Sequence, residues 1–149
     1  MSAIPPQLQQ EVAAHSQYRC RYCQSQQRLM GVALTIDHIL PQSLGGPTER
    51  ENLCLACWDC NLAKSDRTTA VDPQTGDTVQ LFHPNEQQWD EHFRWSEAGW
   101  HMIGLTPTGR ATVVALKLNR PQLVEARRYW VRAGWHPPLP DEESAVNPR

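Results

Sequence analysis

The 149-residue sequence predicts an α+β fold assembled from short strands and short helices. Three observations predict it. Two CxxC pairs, Cys20-Arg-Tyr-Cys23 and Cys57-Trp-Asp-Cys60, are separated by residues 24–56. Two runs of strand composition, 32–36 and 52–56, lie between the pairs. Helical composition stands outside them, at 7–15, from Cys57 onward, and after Pro121. No βαβ pattern surrounds either cysteine pair.

Each element has its own reason. Residues 7–15 follow Pro5-Pro6, and Leu8 and Val12 fall four apart on one helical face. The first CxxC then makes a tight turn. The run Val-Ala-Leu-Thr-Ile at 32–36 reads as a strand that ends at Asp37-His38. Pro41 and Gly45-Gly46-Pro47 mark an irregular loop. Asn-Leu-Cys-Leu-Ala at 52–56 reads as a second short strand, and from Cys57 to about Asp66 the composition is helical. Asp72-Pro73-Gln74-Thr75-Gly76 is a turn, and 79–82 suits a strand. Residues 92–105 read as a hairpin turning at Glu97-Ala98-Gly99. Thr106-Pro107-Thr108-Gly109 reads as another turn, and the apolar run 111–118 suits a helix or a strand equally. Asn119 and Pro121 open a helix that Gly134 closes, with Leu123, Ala126, Trp130 and Ala133 on one face. The composition shift near residue 70 divides the chain into a core at 1–70, an extension at 71–136 packed on that core, and a Pro-rich tail at 137–149 that reads as disordered.

Composition excludes some function classes. Hydrophobic residues make up 40% and charged residues 20%, ordinary for a globular protein. No stretch approaches the roughly 18 apolar residues of a membrane span. The first residues lack a basic start followed by an apolar run, so a cytoplasmic location is expected. The net charge of -2 does not by itself advertise a nucleic-acid binder. The acids Asp141, Glu142 and Glu143 sit in the tail, however, and 12 of the 14 basic residues are arginine, which suits bidentate phosphate contacts.

Five cysteines, Cys20, Cys23, Cys54, Cys57 and Cys60, are an odd count in an expected reducing compartment, which argues against a disulfide framework. Paired CxxC spacing instead predicts one structural Zn²⁺ on Cys20, Cys23, Cys57 and Cys60. Cys54 reads as a small buried core residue.

The segment between the pairs is longer than the roughly 15–20 residues of a plain zinc ribbon. It holds Asp-His-Ile-Leu-Pro at 37–41, Gly45-Gly46 and Glu51-Asn52-Leu53, and the second pair runs directly into Asn61 and Lys64. This ordered set, over residues 17–67, resembles the HNH endonuclease family. The resemblance implies a ββα-metal fold: two strands and a helix around one catalytic divalent cation, stapled by the zinc knuckle. A strand end and a helix start can converge Asp37 and Asn61 on that cation. Two hard oxygen donors suit Mg²⁺ or Mn²⁺. His38 is the candidate general base, because it titrates near neutral pH. The amide of Asn52 is expected to hold the loop that orients His38. This chain has Asn61 where some members have His, so the base role rests on His38 alone. Lys64 and Arg67 are the substrate-binding candidates, facing phosphates. The implied substrate is nucleic acid, most simply double-stranded DNA, cut to leave a 5′-phosphate and a 3′-hydroxyl. Oligomeric state is not readable from the sequence.

Two rival classes compete with a nuclease. In a non-catalytic zinc-stapled nucleic-acid-binding module, Asp37, His38 and Asn61 would only shape the fold. A thiol redox protein would oxidise its CxxC pairs reversibly and hold no zinc. His15, His83, His92, His101 and His136 form no ligand spacing, and Trp89, Trp95, Trp100, Trp130 and Trp135 read as core. Arg110, Arg127 and Arg128 could reach phosphates, but a surface charge or ion pair is the simpler reading for each.

Overall fold

A computed structural model describes residues 3–138. The tail expected at 137–149 therefore lies, from residue 139 on, outside the described residues. The fold is α+β, with short antiparallel strand pairs and short helices. Among the described residues, no helix is long and apolar enough to cross a membrane.

The chain divides into two compact units. The first holds the chain up to Thr68 together with His83–Glu86. Helix α1 (Pro6–His15) starts on a proline whose missing N–H costs nothing at a helix N-terminus, and Val12 is its buried anchor. Gln17 and Tyr18 then take left-handed backbone (φ 57° and 56°), which turns the chain into the first CxxC. A single turn, α2 (Gln27–Met30), ends on left-handed Gly31. Strand β1 (Thr35–His38) pairs antiparallel with β2 (Leu53–Ala56), in a register that sets Asp37 opposite Cys54 and His38 opposite Leu53. The expected strand from residue 32 starts three residues later, because β2 offers only four partners and Val32 is exposed. All of β2 is buried. Burial of a side chain such as Leu53 or Leu55 contributes about 1.5–3 kcal/mol. Helix α3 (Trp58–Lys64) follows, and its N-cap is the Cys57 sulfur, which accepts from the Cys60 N–H. β1, β2 and α3 form a ββα unit.

Segment His83–Glu86 is tied to this unit by two side chains, Asn85 and Arg21. The Asn85 amide donates to the carbonyls of Arg50, Glu51 and Leu53 at 3.3, 3.0 and 3.0 Å. Arg21 donates to the Pro84 carbonyl and to Asn85 Oδ1.

The second unit holds Thr69–Phe82 and the chain from Gln87 on. β3 (Thr69–Val71) pairs with β4 (Thr78–Gln80) around the turn at Asp72. The buried Asp72 carboxylate accepts from Gln74 N–H and Thr75 Oγ1, and receives the Arg110 fork at 3.0 and 2.9 Å. After the single turn α4 (Trp89–His92), β5 (Phe93–Trp95) and β6 (Met102–Gly104) form the expected hairpin. The run 111–118 resolves as the end of helix α5 (Pro107–Ala115) followed by a turn at 116–118. Thr106-Pro107-Thr108-Gly109 is the start of that helix rather than a free turn. Thr106 Oγ1 accepts from the Gly109 N–H at 3.0 Å, and Pro107 fills the first helical position.

Helix α6 (Pro121–Ala133) ends on left-handed Gly134. Its inner face differs from the expected one. Leu123 and Arg127 are buried and Ala133 is exposed. Arg127, 0% exposed, donates to the carbonyls of Trp100 and Leu118 and to Asn119 Oδ1, and lies over the Trp95 ring. It is therefore a core residue, not a surface charge available to phosphate. Phe82, Trp89, Phe93 and Trp95 make an edge-and-stack aromatic cluster in the same unit.

Candidate active site and metal centre

The cysteine knuckle has the donor set of a metal centre. The sulfurs of Cys20, Cys23, Cys57 and Cys60 all lie within 4.8 Å of one another, and all four residues are buried. The Cys23 and Cys57 sulfurs are 3.8 Å apart. Backbone N–H groups of Cys23 and Cys60 donate to the Cys20 and Cys57 sulfurs, and Ser25 Oγ lies 3.1 Å from the Cys23 sulfur. Such N–H···S contacts stabilise thiolate charge. The four residues are positioned to bind one metal ion, and a closed set of soft sulfur donors fits zinc. Cys54 stands apart from them in β2, and burial pushes its thiol up to about 12.

The second cluster forms where β1 ends. Side chains alternate along a strand, so Asp37 and His38 leave β1 on opposite faces. Asp37 is 5% exposed. Tyr22 donates its hydroxyl to Asp37 Oδ2 at 2.8 Å. Lys64 Nζ reaches Oδ1 at 3.4 Å and Oδ2 at 3.2 Å. Burial pushes the Asp37 carboxyl up, against the opposing pull of the Lys64 charge and the Tyr22 hydrogen bond. Burial also pushes Tyr22 well above the usual tyrosine range, so its hydroxyl keeps its proton and remains a donor.

His38 is only partly buried, with Nε2 3.0 Å from Thr48 Oγ1. Burial lowers its pKa below 6.5, Asp37 opposes that shift, and Lys64 adds to it. The imidazole is thus neutral at pH 7 and able to accept a proton.

The loop between the strands is tied by Asn52. Its Oδ1 accepts from the Leu40 N–H at 2.8 Å, and its Nδ2 donates to the carbonyls of Leu40 and Pro47 at 3.0 and 2.9 Å. Gly46 is required at this crossing, because a Cβ there would run into the Leu40 carbonyl. Asn52 thereby closes the loop that carries Thr48 back to His38.

Helix α3 lays two side chains along β1. Asn61 Nδ2 donates to Thr35 Oγ1 at 3.0 Å, and Lys64, one turn later, meets Asp37. Thr35 and Asp37 share a strand face. With its nitrogen committed to Thr35, Asn61 has its Oδ1 as the atom to offer a cation. A carboxylate and an amide oxygen on adjoining elements fit a hard divalent cation, the rest of whose shell would be water or phosphate.

The substrate-facing role expected of Lys64 does not match its placement. The residue is 2% exposed, and its ammonium donates to the carbonyls of His38 and Ile39 as well as to Asp37. A buried carboxylate needs a counter-charge, and Lys64 supplies it. Arg67 is exposed at the end of α3 and donates to the Ala63 carbonyl. Arg110 is held by Asp72 and is likewise not a phosphate contact.

Sequence reasoning missed Tyr22, Thr35 and Thr48. Tyr22 had one available signal, an aromatic with a polar handle placed between two metal-ligating cysteines. Thr35 and Thr48 had none beyond their proximity to Asp37 and His38.

Residues 20–67 match the family described as HNH endonuclease. No curated protein and no solved structure matches the chain.

Proposed function

We propose, from the HNH endonuclease domain at residues 20–67, that the protein is a divalent-metal-dependent endonuclease that hydrolyses phosphodiester bonds in double-stranded DNA. HNH nucleases act on nucleic acids, and the arrangement of side chains supports hydrolysis by this chain. The observation that carries the reading is the convergence at the end of β1. A neutral His38 adjoins Asp37 in sequence, while α3 lays Asn61 along the strand that bears both.

In this reading His38 takes a proton from the attacking water, and Thr48 fixes the ring that does so. Asn52 holds the loop so that the ring stays aimed. Asp37 and the Asn61 amide oxygen would hold Mg²⁺ or Mn²⁺. When bound, that cation supplies neutralisation of the charge that grows on the phosphate and the leaving oxygen. Cys20, Cys23, Cys57 and Cys60 would hold a single structural zinc that fixes the two ends of the ββα unit.

One observation favours a second reading. Lys64 already neutralises Asp37, as it would in a nucleic-acid-binding module that needs no catalytic cation. Supercoiled plasmid incubated with the protein and Mg²⁺ or Mn²⁺ separates the two. Nicked or linear product supports the nuclease. Retarded but intact plasmid supports the module and overturns the enzymatic reading.

A further inference from the structure

We propose that Tyr22 is a positioning residue for the divalent-cation site, so that the cysteine knuckle sets how tightly Asp37 holds its cation. The proposal rests on the reading above, that Asp37 is a ligand of a divalent cation.

Tyr22 sits inside the first CxxC, flanked by Arg21 and by the ligand Cys23. A metal that fixes Cys20 and Cys23 fixes the Tyr22 backbone between them. The side chain runs from the knuckle to β1, where it is 1% exposed and donates to Asp37 Oδ2 at 2.8 Å. Cys54, buried and opposite Asp37 in the β1–β2 register, adds a fixed wall beside the pair.

The two partners of Asp37 differ in kind. Lys64 brings a positive charge, which an arriving cation repels. Tyr22 brings a neutral donor, which is compatible with a cation. A carboxylate oxygen has more than one acceptor direction, so the Tyr22 bond and a cation can coexist on Asp37. Tyr22 therefore holds one Asp37 orientation before and after the cation arrives. Outer partners of this sort orient metal ligands, and their removal typically costs about 10- to 100-fold in metal affinity or activity.

The test is Tyr22→Phe, which keeps the ring and deletes only the donor. Zinc content, Mn²⁺ affinity from the electron paramagnetic resonance signal of free Mn²⁺, and plasmid cleavage across Mn²⁺ concentrations are measured on full-length protein. The variant should retain one zinc per chain and bind Mn²⁺ about tenfold more weakly than wild type. Half-maximal cleavage should move to higher Mn²⁺ by a similar factor, with the rate at saturating Mn²⁺ within about twofold of wild type. Equal Mn²⁺ affinities in the two proteins would overturn the positioning role and leave the nuclease reading standing. Loss of zinc from Tyr22→Phe would also overturn it, by placing the hydroxyl in service of the knuckle's own fold. A wild type that binds no Mn²⁺ would instead remove the underlying reading, and this proposal with it.

Discussion

His38 and Asp37 are neighbours in sequence, and their environments separate them: Asp37 is buried beside Tyr22 and Lys64, and His38 is only partly buried. Because burial lowers the pKa of His38, cleavage should level off towards neutral and higher pH. It should decline as pH falls through the lowered pKa, where the imidazole gains a proton and can no longer take one. Cleavage rate against pH at saturating Mn²⁺ checks this, and an activity that rises on acidification would contradict it. Asp37→Ala should weaken Mn²⁺ binding and recover part of its activity at high Mn²⁺, which a titration of cleavage against metal would reveal. Asn52→Ala strands the Leu40 N–H and the carbonyls of Leu40 and Pro47. It should cost on the order of 1–3 kcal/mol in denaturant unfolding, and slow cleavage by loosening the loop behind His38. At this scale the sequence made the residues legible as an ordered set, because Asp37, His38, Asn52 and Asn61 stand at motif spacing. What each side chain touches was less legible. Lys64 is long and flexible, and its direction depends on which neighbour lacks a counter-charge. That neighbour is Asp37, on a different element.

Each short element here is held by a specific device rather than by its length. The ends of the ββα unit depend on the knuckle, so Cys57→Ser should lose metal and fold together, seen as loss of zinc and of the cooperative melt. Cys54→Ser should keep the metal, because Cys54 lies outside the four-sulfur cluster. Burial keeps the Cys54 thiol protonated, so it should react with thiol reagents only on unfolding. In the second unit the β3–β4 turn depends on Asp72, whose carboxyl Arg110 holds well below the usual carboxylate range. A depressed folded pKa gives stability that is complete above the unfolded value near 3.8 and is lost as pH falls below it. Arg110→Gln should therefore lower the melting temperature at pH 7 and show a weaker dependence on pH below 4 than wild type does. Strand and helix composition made β2, α3, the β5–β6 hairpin and α6 legible. The elements that were not legible have tertiary causes. β3 exists because β4 pairs with it. Thr-Pro-Thr-Gly at the start of α5 suits a turn and a helix start equally, and only the Thr106 cap decides between them. Arg127 could not be recognised as core, because its burial depends on carbonyls supplied by Trp100 and Leu118.

For the molecule as a whole, charge limits how the proposed nucleic-acid substrate would be held. The net charge is -2, and Lys64 and Arg110 are committed to Asp37 and Asp72. Of the residues the sequence offers as phosphate contacts, Lys64, Arg110 and Arg127 are engaged within the fold, while Arg67 and Arg128 remain exposed. Each phosphate neutralised adds about -0.9 to the salt slope, so duplex binding by a His38→Ala variant in Ca²⁺ should show a slope shallower than about -2. A slope steeper than about -6 would point to a basic surface assembled from other arginines. His83–Glu86 joins the first unit through Asn85 and Arg21, whose partners lie far away in sequence, and composition carries no signal of that contact. One side-by-side measurement decides whether His38 performs metal-dependent cleavage. Supercoiled plasmid is incubated at saturating Mn²⁺ with wild type and with His38→Ala, after both are shown to hold equal zinc and to bind Mn²⁺ equally. Wild type should convert the plasmid, and His38→Ala should be slower by at least about 10²-fold. Equal cleavage by the two proteins would rule out His38 as the base.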